Sequence, residues 1–541
     1  MSFKARAGQD QVLDATERVL LVLGGAGTGK TTTAAAVVRQ ILDTNERDNG
    51  LPGRALFLSF SNSAVGQIVD RTAGLLGPHV NHVEITTFHA FAWHLIRRWG
   101  RAVGVEDPQL MSPSAARLLG SSSGLSYGDL LPLALRICQI PAIRRHLETR
   151  WKVIVSDEFQ DTSDEQFTLL KLIRGRARLL LLGDPNQCIY TNLPGVVGVG
   201  VERLAAALAI SGSRQIELPD VSHRDPTNIL PAAASAIRLR DFEHEAVKKA
   251  LRLDMLSVRH HDDPNEEGPL VAALILEFRA QGHTIGVFSH HVDKTASLSD
   301  HLNSQGIAHE IVGLPDAISS ALHAEFEMLR YAAGQSTFDA VKHYLAVFVT
   351  SVERGNGVPN LASIIMQEQE SPPTFAARLQ QLGQQLYGAE SVREAMMIAN
   401  EAHTKLGLTR GERTWASAAT ILRNSLSPRL LRAHTFPPGG LDYLRERLSN
   451  QHIALLTDSK AGSSADVQLM GLYQSKGREA DATIVVFRQD DYFGQEPEPM
   501  QNGSKLLYVV LTRARKKTIV LTLGSNLPKL VAPLKALSRN V

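Results

Sequence analysis

The chain has 541 residues, 43% hydrophobic and 21% charged, the proportions of an ordinary globular protein with room for several cores. Its 57 Lys and Arg against 55 Asp and Glu leave a net charge of +2, so composition announces no nucleic-acid partner and any basic track has to be local. Two distant cysteines, Cys138 and Cys188, argue against a disulfide framework or a zinc site. The N-terminal MSFKARAGQDQ has no apolar signal core, and no apolar run is long enough to span a bilayer, so a cytoplasmic protein is expected.

In chain order, residues 18–23 (RVLLVL) form a short apolar run that reads as a buried parallel strand. Gly24-Gly25-Ala26-Gly27-Thr28-Gly29-Lys30-Thr31 follows, and then a helix-like stretch over 32–42. Strand, glycine loop and helix are the context of a phosphate loop. Glycines let backbone N–H groups turn inward around phosphates at the positive end of the next helix. Lys30 then reaches the β- and γ-phosphates, and the Thr31 hydroxyl is placed to ligate Mg²⁺.

Residues 151–156 (WKVIVS) repeat the buried-strand pattern and end in Asp157-Glu158, where ligands collect in a parallel α/β sheet. Asp157 is expected to hold Mg²⁺ and Glu158 to orient or deprotonate the attacking water. A third strand over 177–182 (ARLLLL) ends in Gly183-Asp184, and Gln187 shortly after can sense a γ-phosphate. Taken alone, GDPNQ reads equally well as a turn.

From Gly282 a second α/β pattern begins, with predicted strands over 284–288 and 309–312 around a helix over 293–305. The tail adds strands over 482–487 and 518–523 with a helix over 506–514 between them. Residues 335–460 read as mainly helical, with a Gln-rich stretch near 380–385 and breaks at Pro372-Pro373 and Pro437-Pro438. Two α/β lobes in one chain suit a nucleotide held at their interface, because arginines donated across a cleft stabilise the charge that spreads over the γ-phosphoryl oxygens.

Read in order, these stations resemble the superfamily 1 helicases of the UvrD/Rep/PcrA type. DEFQDT (157–162) is close to the family's second motif, and GDPNQCIY (183–190) to its third. SFSNSA (59–64) and Thr87-Phe88-His89 match its DNA-contacting Ia and Ib segments. LPDVSHRDPTNIL (218–230) resembles motif IV and supplies Arg224. VQLMGLYQSKGRE (467–479) resembles motif V, and LYVVLTR (507–513) resembles motif VI and supplies Arg513.

The resemblance implies two RecA-like P-loop lobes, with parallel sheets, flanking helices and inserted, mainly helical subdomains. It places a 1A-like lobe over 1–96 and 148–215, and a 2A-like lobe over 216–334 and 461–541. A small 1B-like insertion falls over 97–147 and a 2B-like one over 335–460. It implies ATP as substrate with Mg²⁺, the loop Gly25 to Thr32 around the phosphates, Gln11 (or alternatively Gln9) reading adenine, Glu479 on the ribose, and Arg224 and Arg513 as fingers. For nucleic acid it points to Phe60, Asn62, Thr87, Phe88, His89, Tyr190 and Tyr473. Phe60, Phe88 and Tyr190 could each be a stacking platform or core.

The implied activity is ATP-driven, 3′-to-5′ movement on single-stranded DNA, with or without a duplex junction. RNA is a further alternative, since backbone tracking does not read the 2′-hydroxyl. Several positions depart from the pattern. Tyr190 is followed by Thr191-Asn192-Leu193-Pro194-Gly195 instead of an aromatic and an Arg-Gly pair, and His223 replaces the usual tyrosine before Arg224. Tyr473-Gln474 stand where a histidine and a small residue are common, and Asn502-Gly503-Ser504-Lys505 where an acidic pair is usual. With such small insertions, weak unwinding by the chain alone is expected. A competing reading is a nucleotide-gated subunit of a separately encoded nuclease or repair partner, as compact UvrD-like proteins are in anti-phage systems such as Gabija.

Overall fold

The computed structural model describes residues 3–6, 8–50, 53–106, 108–120, 124–191, 197–290, 292–312, 316–353, 357–367, 372–437, 440–441, 466–488, 491 and 500–540. The chain divides into two compact units: Met1–Gly104, Leu131–Val312 and Leu456–Val541 form the first, and Val105–Leu130 with Gly313–Leu455 the second.

The first unit holds two six-stranded sheets. Strands β1 (Val19–Leu23), β2 (Ala55–Ser59), β3 (Val83–Thr87), β4 (Val153–Ser156), β5 (Arg178–Gly183) and β6 (Ser213–Glu217) lie in the order β3-β2-β4-β5-β1-β6. Every pair in this sheet is parallel. β1, β2 and β4 are buried along their whole length, as expected of central parallel strands with both faces covered. The second sheet takes β7 (Leu256–His261), β8 (Ile285–Ser289), β9 (Glu310–Ile311), β10 (Val467–Gly471), β11 (Ala480–Arg488) and β12 (Ala514–Leu523) in the order β7-β12-β11-β8-β10-β9. It too is all parallel. This is the expected α/β class, consistent with two RecA-like lobes carrying helical insertions.

Parallel register is what assembles a site. β1 pairs with β5 from Val19↔Leu179 to Leu23↔Gly183, and β5 with β4 from Arg178↔Val153 to Leu181↔Ser156. The residues that follow Leu23, Ser156 and Gly183 therefore emerge side by side on one edge. Helix boundaries shift from the sequence reading for local reasons. The helix after β1 runs Lys30–Asn49, because Gly29 at φ 86° and Gly50 at φ 70° mark its two ends. In the tail the helix is Gln501–Leu511, since Ala514 already belongs to β12.

The second unit is helical among its described residues. Its central helix, Asp316–Ala332, is buried on almost every side, and the helices Phe338–Val352, Pro373–Tyr387, Val392–Leu406 and Glu412–Ser425 pack against it. Trp415 meets Phe348 edge-on at 4.8 Å and donates its indole N–H to the Ala399 carbonyl at 3.0 Å. Val105–Leu130, which the sequence reading grouped with 97–147, contributes the helix Pro113–Leu119. Ser114 there bonds Asp316 and Ser320 at 3.2 and 3.1 Å. The Gln-rich stretch is the polar side of Pro373–Tyr387, whose Leu379, Leu382 and Leu386 are buried. Pro373 starts that helix, where a missing N–H costs nothing. Pro438, and the boundary expected at 460–461, lie outside the described residues.

Candidate nucleotide and nucleic-acid site

Gly27 and Gly29 adopt φ of 81° and 86°, left-handed values that bend the loop after β1 back on itself. At Gly29 a Cβ would come within 2.7 Å of the Gln9 amide nitrogen, which would have to move aside, and the positive φ would strain any side chain placed there. The Lys30 ammonium sits in the mouth of the loop and donates to the Gly24 and Gly25 carbonyls at 2.7 and 3.0 Å. One residue on, the Thr31 hydroxyl donates to Asp157 Oδ2 at 3.1 Å. This pair of hard oxygen donors, a hydroxyl and a carboxylate beside a phosphate cradle, is a donor set suited to Mg²⁺.

Asp157 and Glu158 follow β4 directly. Glu158 holds φ at 52°, a strained setting for a residue with a side chain, and the structure around it over-determines that setting. Gln160 donates through its side-chain amide to Glu158 Oε2 at 2.7 Å, and its Oε1 in turn accepts from the Asp184 N–H at 3.0 Å. Lys476 stands 3.7 Å from Glu158, pairs with Asp161 and donates to the Gln187 carbonyl at 2.8 Å. Burial raises the Glu158 carboxyl, but Lys476 and then Lys30 outweigh it and hold the group well below the usual carboxylate range. Asp157 shifts upward, by burial and by the Glu158 charge beside it.

The second sheet supplies the opposite wall. Arg513, buried behind the cleft, donates to Gln187 Oε1 at 3.2 Å and to the Val509 carbonyl at 2.8 Å. Gln187 is itself oriented by donating to Asp184 Oδ2 at 2.8 Å. Arg224 donates to the Thr512 carbonyl at 3.2 Å and pairs with Glu479. Glu479 also pairs with Arg71, from the helix Asn62–Leu76 of the first sheet, and with Arg515 at 3.4 Å. Burial pushes the Glu479 carboxyl up, yet Arg224 and Arg71 hold it down at about 2. The buried Tyr508 hydroxyl accepts from the Ala26 N–H at 3.2 Å and donates to Asp184 at 3.3 Å, tying the last helix to the phosphate loop. Between the walls lies a cavity of about 510 Å³.

Beside it runs a row of rings drawn from both sheets. Phe60 and Tyr190 lie 4.7 Å apart between ring centroids and are tilted by 31°, and Tyr190 and Tyr473 are 6.0 Å apart, tilted by 32°. The Tyr190 hydroxyl donates to the Tyr473 carbonyl at 3.0 Å, and the Lys476 ammonium is 5.5 Å from the Tyr190 ring centre.

A family model described as an AAA domain matches residues 9–192. The ATP-dependent DNA helicase PcrA of Leuconostoc citreum is 23% identical over an alignment covering 51% of this chain and 45% of that protein. PcrA of Staphylococcus aureus is 24% identical, covering 34% of this chain and 33% of the relative, and PcrA of Staphylococcus epidermidis 23%, covering 42% and 39%. At this low identity the chain is similar to DNA helicases of the UvrD/Rep/PcrA type. The chain spans less than half the length of these PcrA relatives.

Of the UvrD-like positions expected to meet ATP, Ala26, Gly27, Thr28, Gly29, Lys30, Thr31, Thr32, Asp157, Glu158, Gln187, Arg224 and Glu479 all line the cavity. Gly25 and Arg513 stand behind that lining. Gln11 is exposed and does not line the cleft, whereas Gln9 is buried there and donates to the Thr28 carbonyl at 3.4 Å. In the helix Gln9–Asp14, positions 9 and 12 face inward and position 11 faces solvent. His223 lines the same end, its ring nitrogen 2.6 Å from the Arg6 guanidinium.

The expected nucleic-acid residues separate. Phe60, Tyr190 and Tyr473 gather in the ring row, with Tyr473 the most exposed of them. Phe88 is 1% exposed and belongs to the core, while Thr87 caps the helix Phe88–Trp99 by accepting from the Ala90 N–H. His89 is half-buried, and burial pushes its imidazole down to about 4. The side chain of Asn62 and the whole of Asn192–Gly195 lie outside the described residues. Sequence reasoning missed Gln160, Asp161, Lys476 and Tyr508, although all four stand inside the runs that carry the resemblance. Arg71 had no signal at all: in sequence it is one more charge on a helix.

Proposed function

We propose that this chain hydrolyses ATP in the cavity between its two sheets and uses the cycle to move along single-stranded DNA. Lys30 and the loop N–H groups bind the phosphates, Gln9 and His223 face the base, and Glu479 is freed from its arginines to meet the ribose. Thr31 and Asp157 would hold Mg²⁺, which would supply positive charge against the phosphates. Glu158, kept anionic by Lys476, orients the attacking water and accepts its proton. Arg224 and Arg513 stabilise the charge on the transferring group. The observation that carries the reading is that Thr31 and Asp157 meet at 3.1 Å on the floor of a cavity whose facing wall presents Arg224 and Glu479. Binding and release that open and close such a wall are the usual source of stepping. The 3′-to-5′ sense follows the family resemblance, and the modest insertions favour translocation over unwinding by the chain alone.

A nucleotide-gated subunit of a nuclease or repair complex is the second reading. One observation favours it: with Phe88 in the core, the row of rings available to bases is short. The test is ATP turnover by the purified chain with no nucleic acid, single-stranded DNA, duplex DNA and single-stranded RNA, at low and moderate salt. Strong stimulation by single-stranded DNA, lost by about 10²–10⁴-fold in Glu158→Gln with ATP binding retained, is the expected result. An equal response to all four conditions would reject the motor and leave the gated reading.

A further inference from the structure

A second cavity, of about 520 Å³, opens on the first unit between the helices Phe88–Trp99 and Pro141–Arg150. Its floor is apolar: Phe91, Leu95 and Leu147 are buried, and the Trp99 ring is half-exposed. Its rim is cationic, with Arg97 and Arg98 exposed beside Arg150. The one carboxylate lining it, Glu84, is already paired with Arg150 at 3.0 Å. Among the described residues no carboxylate pairs with Arg97 or Arg98, and the Arg98 guanidinium rests 5.0 Å above the Trp99 ring. In a chain whose charges almost cancel, two uncompensated arginines over an apolar slot are more than a solvated helix face requires.

The chemistry that satisfies both parts is a flat heterocycle joined to a phosphate. A ring beside Trp99 gains stacking, and the arginines take the phosphodiester. In a duplex the base faces are hidden in the stack, so the slot selects an unpaired strand. We propose that this cavity is a second contact for single-stranded DNA, with a base against Trp99 and its phosphates on Arg97 and Arg98. The choice of DNA as ligand rests on the function proposed above. The slot lies at the far end of the helix that begins with Phe88, whose 12 residues span about 18 Å at about 1.5 Å each.

The experiment is fluorescence anisotropy of labelled oligothymidylate, about 30 nucleotides long so that it exceeds any single site, bound to the full chain across a KCl series. Arg97→Ala/Arg98→Ala is compared with the unaltered protein, and Trp99→Leu keeps the apolar filling while removing the ring. The melting temperature of each variant reports its folding. The double variant is expected to lower the slope of log affinity against log salt by about 1.4, at about 0.7 for each phosphate contact on a single strand. Trp99→Leu is expected to weaken binding by about five- to 150-fold with little change in slope. Unchanged affinity and slope in a folded double variant, while the unaltered protein binds, would overturn the slot and leave the proposed motor standing. An equal loss of affinity for a blunt duplex of the same length, bound in the same assay, would overturn its assignment to single strands. Failure of the unaltered protein to bind any strand would reject the function reading, and the slot with it.

Discussion

The nucleotide cleft and the ring row beside it use the same strand ends, yet they are held in place differently. In the cleft, Lys476 answers Glu158 and Asp161, Glu479 answers Arg71, Arg224 and Arg515, and Gln187 is gripped between Asp184 and Arg513. Buried charge is tolerable only when paired, so each functional group there has one position set by its partners. In the row, Phe60, Tyr190 and Tyr473 are placed by packing, and nothing in a ring's chemistry tells a platform from core. A charge in a motif thus carries its own geometry into the fold, while an aromatic waits for the fold to assign its role.

Removing a partner from the cleft is the strongest way to break that contrast. Lys476→Ala leaves Asp161 and Glu158 uncompensated and is expected to cost about 3–5 kcal/mol in urea-induced unfolding, with turnover reduced as well. A loss under 1 kcal/mol would show that the pairing does not hold the cleft. Phe88→Ala tests the core assignment: about 3–5 kcal/mol of stability should go, with little change in DNA affinity for the protein that remains folded. If affinity falls and stability stays, Phe88 is a platform after all.

Tyr473→Ala is the converse case. At the exposed end of the row it is expected to leave stability nearly intact and to weaken single-strand binding by about 1–3 kcal/mol, read by anisotropy at fixed salt. The smallest effect separates two neighbours in one helix. Gln9→Ala should raise KM for ATP by a few-fold, on the order of one hydrogen bond of about 1 kcal/mol, and Gln11→Ala should leave it unchanged. Equal effects from the two would mean that the buried glutamine does not face the base.

Much of the cleft was legible because its residues follow strands directly. An apolar run that ends in glycines, or in Asp157-Glu158, places the next side chain at the sheet's edge whatever the rest of the chain does. The helical unit was legible only as helical. That Val105–Leu130 would join Gly313–Leu455 depends on contacts such as Ser114 to Asp316 and Ser320, between residues some two hundred positions apart.

By itself the sequence determined the α/β class, the phosphate loop and the acids at the end of β4, because these depend on local backbone geometry and on periodicity. Only the tertiary structure decided that Gln9 and not Gln11 lines the cleft, that Phe88 is core, and that Lys476, Tyr508 and Arg71 bind one sheet's residues to the other's. The reason is physical: burial and ion pairing are properties of the space between distant segments, and no local pattern records which segments will share it.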